Sequence, residues 1–243
     1  MPARRPALLL HATLLLSVLG ASAQVAAPAA PALDLAKWEA EISAFERADR
    51  EAPPAPEGIV FAGSSSIRLW TTLREDFAGL PVLNRGFGGS QIREVTAFAD
   101  RIVIPYRPRL IVFYCGSNDV MAGRTVPEVV DDFKAFVAKV RGAVPQARIL
   151  YIAIAPNPAR WERKHAWLDL NARIKAYSES DPRLAFVDIW PEMLDPAGQP
   201  RPELFVEDQL HMNARGYAIW KRVVRPVVER EFKRAGTDMP APP

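Results

Sequence analysis

The sequence predicts an α/β fold whose parallel sheet is covered by helices on both faces, and three observations carry that expectation. Short apolar runs alternate five times with longer stretches whose apolar residues recur at helical spacing. Two of the runs, 109–115 and 148–154, are almost continuously apolar after their first residue, as in strands buried on both faces. Glycine, serine and asparagine gather in the turns that follow the first three runs. In such sheets, ligands sit outside the carboxyl ends of the strands, so these turns are where chemistry is sought.

The elements follow in order. Asp34 opens a helix in which Leu35, Trp38, Ile42 and Phe45 share one face, and Ala52-Pro53-Pro54-Ala55-Pro56 ends it. A strand is expected at 58–62, a helix at 66–74 and a short strand around Val82-Leu83-Asn84. The glycine-rich turn Arg85-Gly86-Phe87-Gly88-Gly89-Ser90 then opens a helix through Ala99. Strand 109–115, helix 126–142 with Val126, Val130, Phe133, Val137 and Val140 on one face, and strand 148–154 come next. A helix at about 160–179 carries Trp167, Leu170, Ile174 and Tyr177, and strand 184–188 follows it. After a proline-rich segment to Glu203, a last helix runs from near Asn213 to about Lys233, with a kink expected at Pro226.

The residues ahead of this domain read differently. Met1-Pro2-Ala3-Arg4-Arg5 is a short basic start, and Pro6 to Gly20 is mostly Leu, Ala and Val. Ala21-Ser22-Ala23 then offers the small-x-small pattern of a signal-peptidase site before Gln24. The apolar stretch is short for a membrane span and is interrupted by His11 and Ser17. The expected organisation is a cleaved export signal over 1–23, a disordered lead-in over 24–33, one domain over 34–235 and a flexible tail over 236–243. The mature protein is thus expected in the periplasm or secreted, with no integral membrane segment.

Composition removes several function classes. Loss of residues 1–23 takes away Arg4 and Arg5 and no acid, so the formal net charge falls from +3 to +1 and nothing argues for nucleic acid. Cys115 is the only cysteine, which excludes an internal disulfide, and it ends a buried strand with no basic neighbour, as an inert packing residue does. His11 leaves with the signal, so His165 and His211 are the only imidazoles of the mature chain and a histidine-rich metal site is not expected. No cofactor is expected either. Gly86, Gly88 and Gly89 do not make a dinucleotide loop, because the spacing demands glycine where Gln91 stands.

Four segments remain as candidates for chemistry. The first run stops at Gly63, and Ser64, Ser65 and Ser66 lead into a helix; a serine lifted on such a turn has an exposed hydroxyl beside unpaired N–H groups, although serines also simply cap helices. Gly89 lets a backbone N–H approach a ligand with no Cβ in the way. Asn118, in Cys115-Gly116-Ser117-Asn118-Asp119, is a neutral donor that does not titrate, or else a cap for a helix at 119–123. Asp208 and His211, three residues apart before the last helix, are close enough for the carboxylate to fix the tautomer of the ring. His165, inside a helix beside Lys164 and Trp167, reads as a surface or packing residue.

At these four segments, in this order, the chain resembles the SGNH (GDSL-type) hydrolase family, and the resemblance spans roughly residues 57–232. It implies a three-layer, flavodoxin-like α/β sandwich with a five-stranded parallel sheet. It also implies roles: Ser65 as nucleophile, His211 as general base, Asp208 as the acid that orients it, and an oxyanion hole made by the N–H of Ser65, the N–H of Gly89 and the amide of Asn118. One departure stands out. The family's usual Gly-Asp-Ser reads Gly63-Ser64-Ser65 here, so Ser64 supplies no carboxylate to brace the turn. The function so implied is an exported, metal-independent serine esterase for carboxylic esters, short acyl or O-acetyl groups first. A lysophospholipase or acyltransferase on the same site, and a catalytically silent ester- or glycan-binding domain, are the alternatives. Ile67, Trp70, Phe87, Val120, Pro156, Phe205 and Met212 are candidates for the pocket wall, or else for the core.

Overall fold

The computed structural model of the chain describes residues 33–237. The expected export signal, all of the lead-in before Leu33 and the tail after Thr237 lie outside the described residues.

Five strands, β1 (Ile59–Gly63), β2 (Val82–Gly86), β3 (Leu110–Tyr114), β4 (Arg148–Ile152) and β5 (Leu184–Val187), form one parallel sheet in the order β2-β1-β3-β4-β5. From β1 the chain steps outward to β2, then returns across β1 to β3 and continues the other way. Strand order therefore reverses between β1 and β3, and the crevice above their carboxyl ends is the expected ligand site of an open α/β sheet. The register puts Gly63 opposite both Gly86 and Tyr114, so the turns leaving β1, β2 and β3 start at one level.

The helices are α1 (Glu39–Glu51), α2 (Ser65–Arg68), α3 (Leu73–Asp76), α4 (Ile92–Ile102), α5 (Ser117–Met121), α6 (Val126–Ala143), α7 (Lys164–Glu179) and α8 (Ala214–Thr237). Alternate strand residues point to opposite faces, and β3 shows what each face meets. Phe113 packs on Phe133 and Phe136 of α6, while Tyr114 packs on Trp220 of α8. Helices α4, α6 and α7 cover one face with α1 outside α4, and α8, α2 and α3 cover the other. The expected three-layer sandwich is what forms.

Local chemistry sets the helix starts. Gln91 and Glu94 make a capping box on α4, and Thr125 and Glu128 make one on α6 with Pro127 in the first turn. The side chain of Asn213 accepts the N–H groups of Arg215 and Gly216 at 2.9 and 3.3 Å and so starts α8. That helix continues through Pro226 to Thr237, beyond the expected end near Lys233.

Two expected helices are broken, each for a physical reason. The stretch 66–74 is α2 and α3 with an irregular join, because Trp70 turns inward to pack against Phe61, Phe77, Tyr217 and Trp220. Its indole N–H and the Thr72 hydroxyl both donate to Asp76, at 2.8 and 2.7 Å, which starts a new turn rather than extending the first. The stretch 160–179 opens instead as a 3-10 segment, Pro158–Arg163, because the Asn157 side chain caps it by accepting the N–H of Arg160 at 3.0 Å. Arg160 itself leaves helical geometry, with φ −133° and ψ 27°.

Candidate active site

The turn after β1 depends on Gly63. Its φ of +138° is one that side-chain-bearing residues rarely adopt, and a Cβ there would meet the carbonyl oxygen of Tyr114 at 2.0 Å. Ser64, buried and extended, donates its N–H to that same carbonyl at 3.1 Å, and its own carbonyl accepts from Ile67 and Arg68. Backbone bonds thus brace the turn where the family's usual carboxylate is missing. Ser65 follows as the first residue of α2.

Val206 and Gln209 close the opposing loop, through Val206 N–H to His211 O at 2.8 Å and Gln209 N–H to Val206 O at 2.9 Å. The loop leaves Phe205 bridged to Met212 and places Asp208 and His211 on one side. The Nε2 of His211 lies 2.9 Å from the Ser65 hydroxyl, and its Nδ1 lies 2.6 Å from Oδ2 of Asp208. The other Asp208 oxygen accepts the N–H groups of Leu210 and His211, each at 2.9 Å. Burial pushes the Asp208 carboxyl up, but the backbone N–H and ring of His211 and the N–H of Leu210 outweigh it and hold it down at about 2. The carboxylate is therefore ionised around neutral pH, and the ring Nδ1 is held as its donor.

Three donors border the same hollow. The N–H groups of Ser65 and Gly89 have no hydrogen-bond partner among the described residues. Gly88 makes the approach of Gly89 possible: its φ is +37°, and a Cβ on it would sit 1.9 Å from the Trp38 ring. Gly88 is held by its N–H to Glu41 at 3.0 Å. A Cβ placed on Gly89 would lie 3.8 Å from Nδ2 of Asn118, so the two donors are neighbours. That amide is fixed from both ends: its Nδ2 donates to the Ser90 carbonyl at 3.1 Å, and its Oδ1 accepts from Arg160 at 3.0 Å. One N–H of the amide is left for a ligand.

The cavity these groups enclose is about 160 Å³ and is lined by Ser65, Gly89, Asn118, Arg160 and His211, with Phe205, Leu210 and Met212 as an apolar side. All five residues singled out in the sequence therefore meet at one place. Of the seven candidates for its wall, Phe205 and Met212 line it, whereas Ile67, Trp70, Phe87, Val120 and Pro156 are buried in the surrounding protein. His165 is exposed on α7. Cys115 is 1 % exposed and donates to the Ser90 carbonyl, and burial pushes its thiol well up, so it packs rather than reacts. Among the described residues, no three His, Cys, Asp or Glu side chains converge as a ligand set for a metal ion.

Arg160 is the residue that sequence reasoning missed. Helical periodicity over 160–179 hid it, and only Asn157-Pro158, a capping pair ahead of the helix, signalled that the chain would bend there. Burial lowers its guanidinium from the usual arginine value, opposed by Tyr114, Glu162 and Asp208 nearby.

Asp119, beside Asn118, is buried and ties α5 to the start of α4 by accepting the N–H of Ile92 at 3.0 Å. Its second oxygen has no partner among the described residues. Burial pushes its carboxyl up to about 7, with Asp132 adding to the rise and the N–H of Ile92 and the charge of Arg93 opposing it. A carboxyl raised in the folded state favours folding fully below the unfolded value and loses that contribution as pH climbs toward 7. Asp119→Asn is therefore expected to gain about 2–3 kcal/mol relative to the parent between pH 5 and pH 8. Urea unfolding at both pH values checks this, and a difference independent of pH contradicts it.

A hydroxyl on a strand–turn–helix corner, an imidazole against it, a carboxylate behind the imidazole and spare donors alongside can carry out acyl transfer through a serine. The chain belongs to the GDSL-like lipase/acylhydrolase family, whose model matches residues 58–219. That membership makes it a carboxylic ester hydrolase by class. Among curated proteins it is similar to platelet-activating factor acetylhydrolase IB subunit alpha1 of Bos taurus, 27% identical over 198 residues that cover 76% of this chain and 82% of the relative. Among solved structures it resembles a GDSL-like lipase from Bacteroides thetaiotaomicron, with TM-score 0.62, 20% identity and coverage of 81% of this chain and 98% of that one. It also resembles a carbohydrate esterase family 3 protein from Talaromyces cellulolyticus, with TM-score 0.58, 16% identity and coverage of 72% and 98%.

Proposed function

We propose that the protein is an exported esterase that cleaves short acyl esters, O-acetyl groups foremost, through an acyl-enzyme on Ser65. The observation that carries this reading is the relay of His211 between Ser65 and Asp208, at 2.9 and 2.6 Å, beside three spare donors. Ser65 attacks the ester carbonyl while Nε2 of His211 takes its proton, and Asp208 holds the ring and offsets the imidazolium that forms. The N–H groups of Ser65 and Gly89 and the Asn118 amide receive the developing oxyanion. The imidazolium returns its proton to the leaving alcohol, and water then enters by the same route to release the acid.

Size supports the choice of acyl group. A cavity of about 160 Å³ with Phe205, Leu210 and Met212 in its lining leaves little room for a fatty chain. The similarity to an acetylhydrolase is consistent with a short acyl group. Export rests on the basic start, apolar run and Ala21-Ser22-Ala23 of residues 1–23, which lie outside the described residues. Among the described residues no helix is long and apolar enough to cross a membrane.

Hydrolysis of p-nitrophenyl esters of rising acyl length tests the proposal. We expect kcat/KM to be greatest for acetate to butyrate and to fall by about 10-fold or more by octanoate, a scale set by what an apolar wall rejects. Activity that rises with chain length contradicts the short-acyl assignment, and no turnover of any ester contradicts the esterase reading.

A further inference from the structure

The cavity is one-sided in charge. Two cations, Arg68 and Arg160, are part of its lining, and no Asp or Glu side chain is. Asp208, behind His211, is committed to the ring and to two backbone N–H groups. Among the described residues Arg68 has one ion pair, a long one of 4.0 Å with half-buried Glu41 that water weakens.

Arg160 is the more telling of the two. It is partly buried and has no ion pair among the described residues. One terminal nitrogen, Nη1, donates to Ser117 at 3.3 Å and to Asn118 at 3.0 Å, whereas Nε and Nη2 have no acceptor among the described residues. Its backbone is anchored as well. The Arg160 N–H is held by Asn157, and the neighbouring Ala159 N–H donates to Gln209 O at 3.1 Å, in the loop that carries Asp208 and His211. A guanidinium anchored beside the reacting atoms, partly desolvated and in no direct ion pair among the described residues, with Glu162 and Asp208 acting on it only at longer range, is ready for a planar anion, which it binds with paired, charge-assisted bonds.

Building on the esterase reading, we infer that the site selects esters that carry an anionic group, a carboxylate or a phosphate, on the part adjoining the scissile bond, and that Arg160 is the specificity-determining residue. The anion takes the free Nε and Nη2 donors, while Nη1 keeps its hold on Asn118. Arg68 adds charge at the rim.

The test compares 4-acetoxybenzoate, 4-acetoxyphenyl phosphate and the neutral 4-acetoxybenzamide, each kcat/KM divided by the ester's rate in buffer alone. For the parent protein we expect at least one of the anionic esters to be preferred over the amide by about 10-fold or more, with carboxylate and phosphate ranked directly by the assay. Arg160→Gln is expected to bring that ratio close to one, while Arg160→Lys keeps part of it. Equal use of all three esters by the parent overturns the inference. So does an Arg160→Gln protein that loses the same factor on every ester, since Arg160 then acts only through Asn118. If no ester is turned over, the esterase reading fails separately, and calorimetric titration of Ser65→Ala with the intact esters decides the inference. Tighter binding of an anionic ester that vanishes in Ser65→Ala/Arg160→Gln supports it, and equal binding of the anionic and neutral esters overturns it.

Discussion

Replacing Ser65 by alanine is expected to lower the hydrolysis of p-nitrophenyl acetate by at least about 10³, the scale of losing a member of a serine triad. The loss falls on kcat, because the hydroxyl forms a bond only as the transition state is reached, whereas Phe205, Leu210 and Met212 remain in the cavity lining. Ser64, Ser66, Ser117 and Tyr114 also line the cavity, but among the described residues none of their hydroxyls is hydrogen-bonded to His211. Ser64 is buried, and His211 Nε2 lies against Ser65. The fold is expected to be unaffected, because among the described residues the Ser65 hydroxyl makes no hydrogen bond other than that to His211. An unchanged melting transition beside the lost activity separates chemistry from stability.

Asp208→Asn is expected to cost on the order of 10⁴ in kcat, the loss that follows when the imidazole is held in the wrong tautomer. In the parent, Asp208 Oδ2 can only accept, so Nδ1 of His211 carries the proton and Nε2 is free to take the one from Ser65. The asparagine oxygen would keep the bonds from the Leu210 and His211 N–H groups, which leaves the amide nitrogen facing Nδ1. That nitrogen donates, so the proton moves to Nε2 and the ring can no longer act as a base toward Ser65. Since the parent carboxyl is held at about 2, mild acid does not reproduce this loss by protonating Asp208. A variant that retains most of its kcat shows that the carboxylate does not set the tautomer.

How much of this was legible in the sequence varied with the kind of interaction. The strands were, because continuous apolar runs such as Leu110–Tyr114 have no place but the middle of a covered sheet. The grouping of Ser65, Gly89 and Asn118 was legible too, because parallel strands deliver the turns after β1, β2 and β3 to one edge, while Asp208 and His211, beyond β5, joined them through the resemblance to the SGNH family. Breaks in helices were not. Trp70 ends α2 by turning into an aromatic cluster assembled from β1, the turn after α3 and α8, and no local pattern reports where those partners will be. Arg160 was hidden for the same reason: its reach to Asn118 spans 42 residues and depends on a cap at Asn157 that interrupts an otherwise regular periodicity. The candidates for the pocket wall divided along the same line. Phe205 and Met212 flank the hairpin of Asp208 and His211 and line the cavity, whereas Ile67, Trp70 and Phe87 supply the core beneath it.

The central claim is that Ser65 is the nucleophile, and covalent capture tests it most directly. The protein is incubated with a fluorophosphonate, and its intact mass and peptide map are measured beside those of Ser65→Ala. The account predicts one phosphonyl adduct per chain, carried on the peptide containing Ser65, and none on the variant. An adduct on another residue, or an adduct that persists on Ser65→Ala, would contradict it.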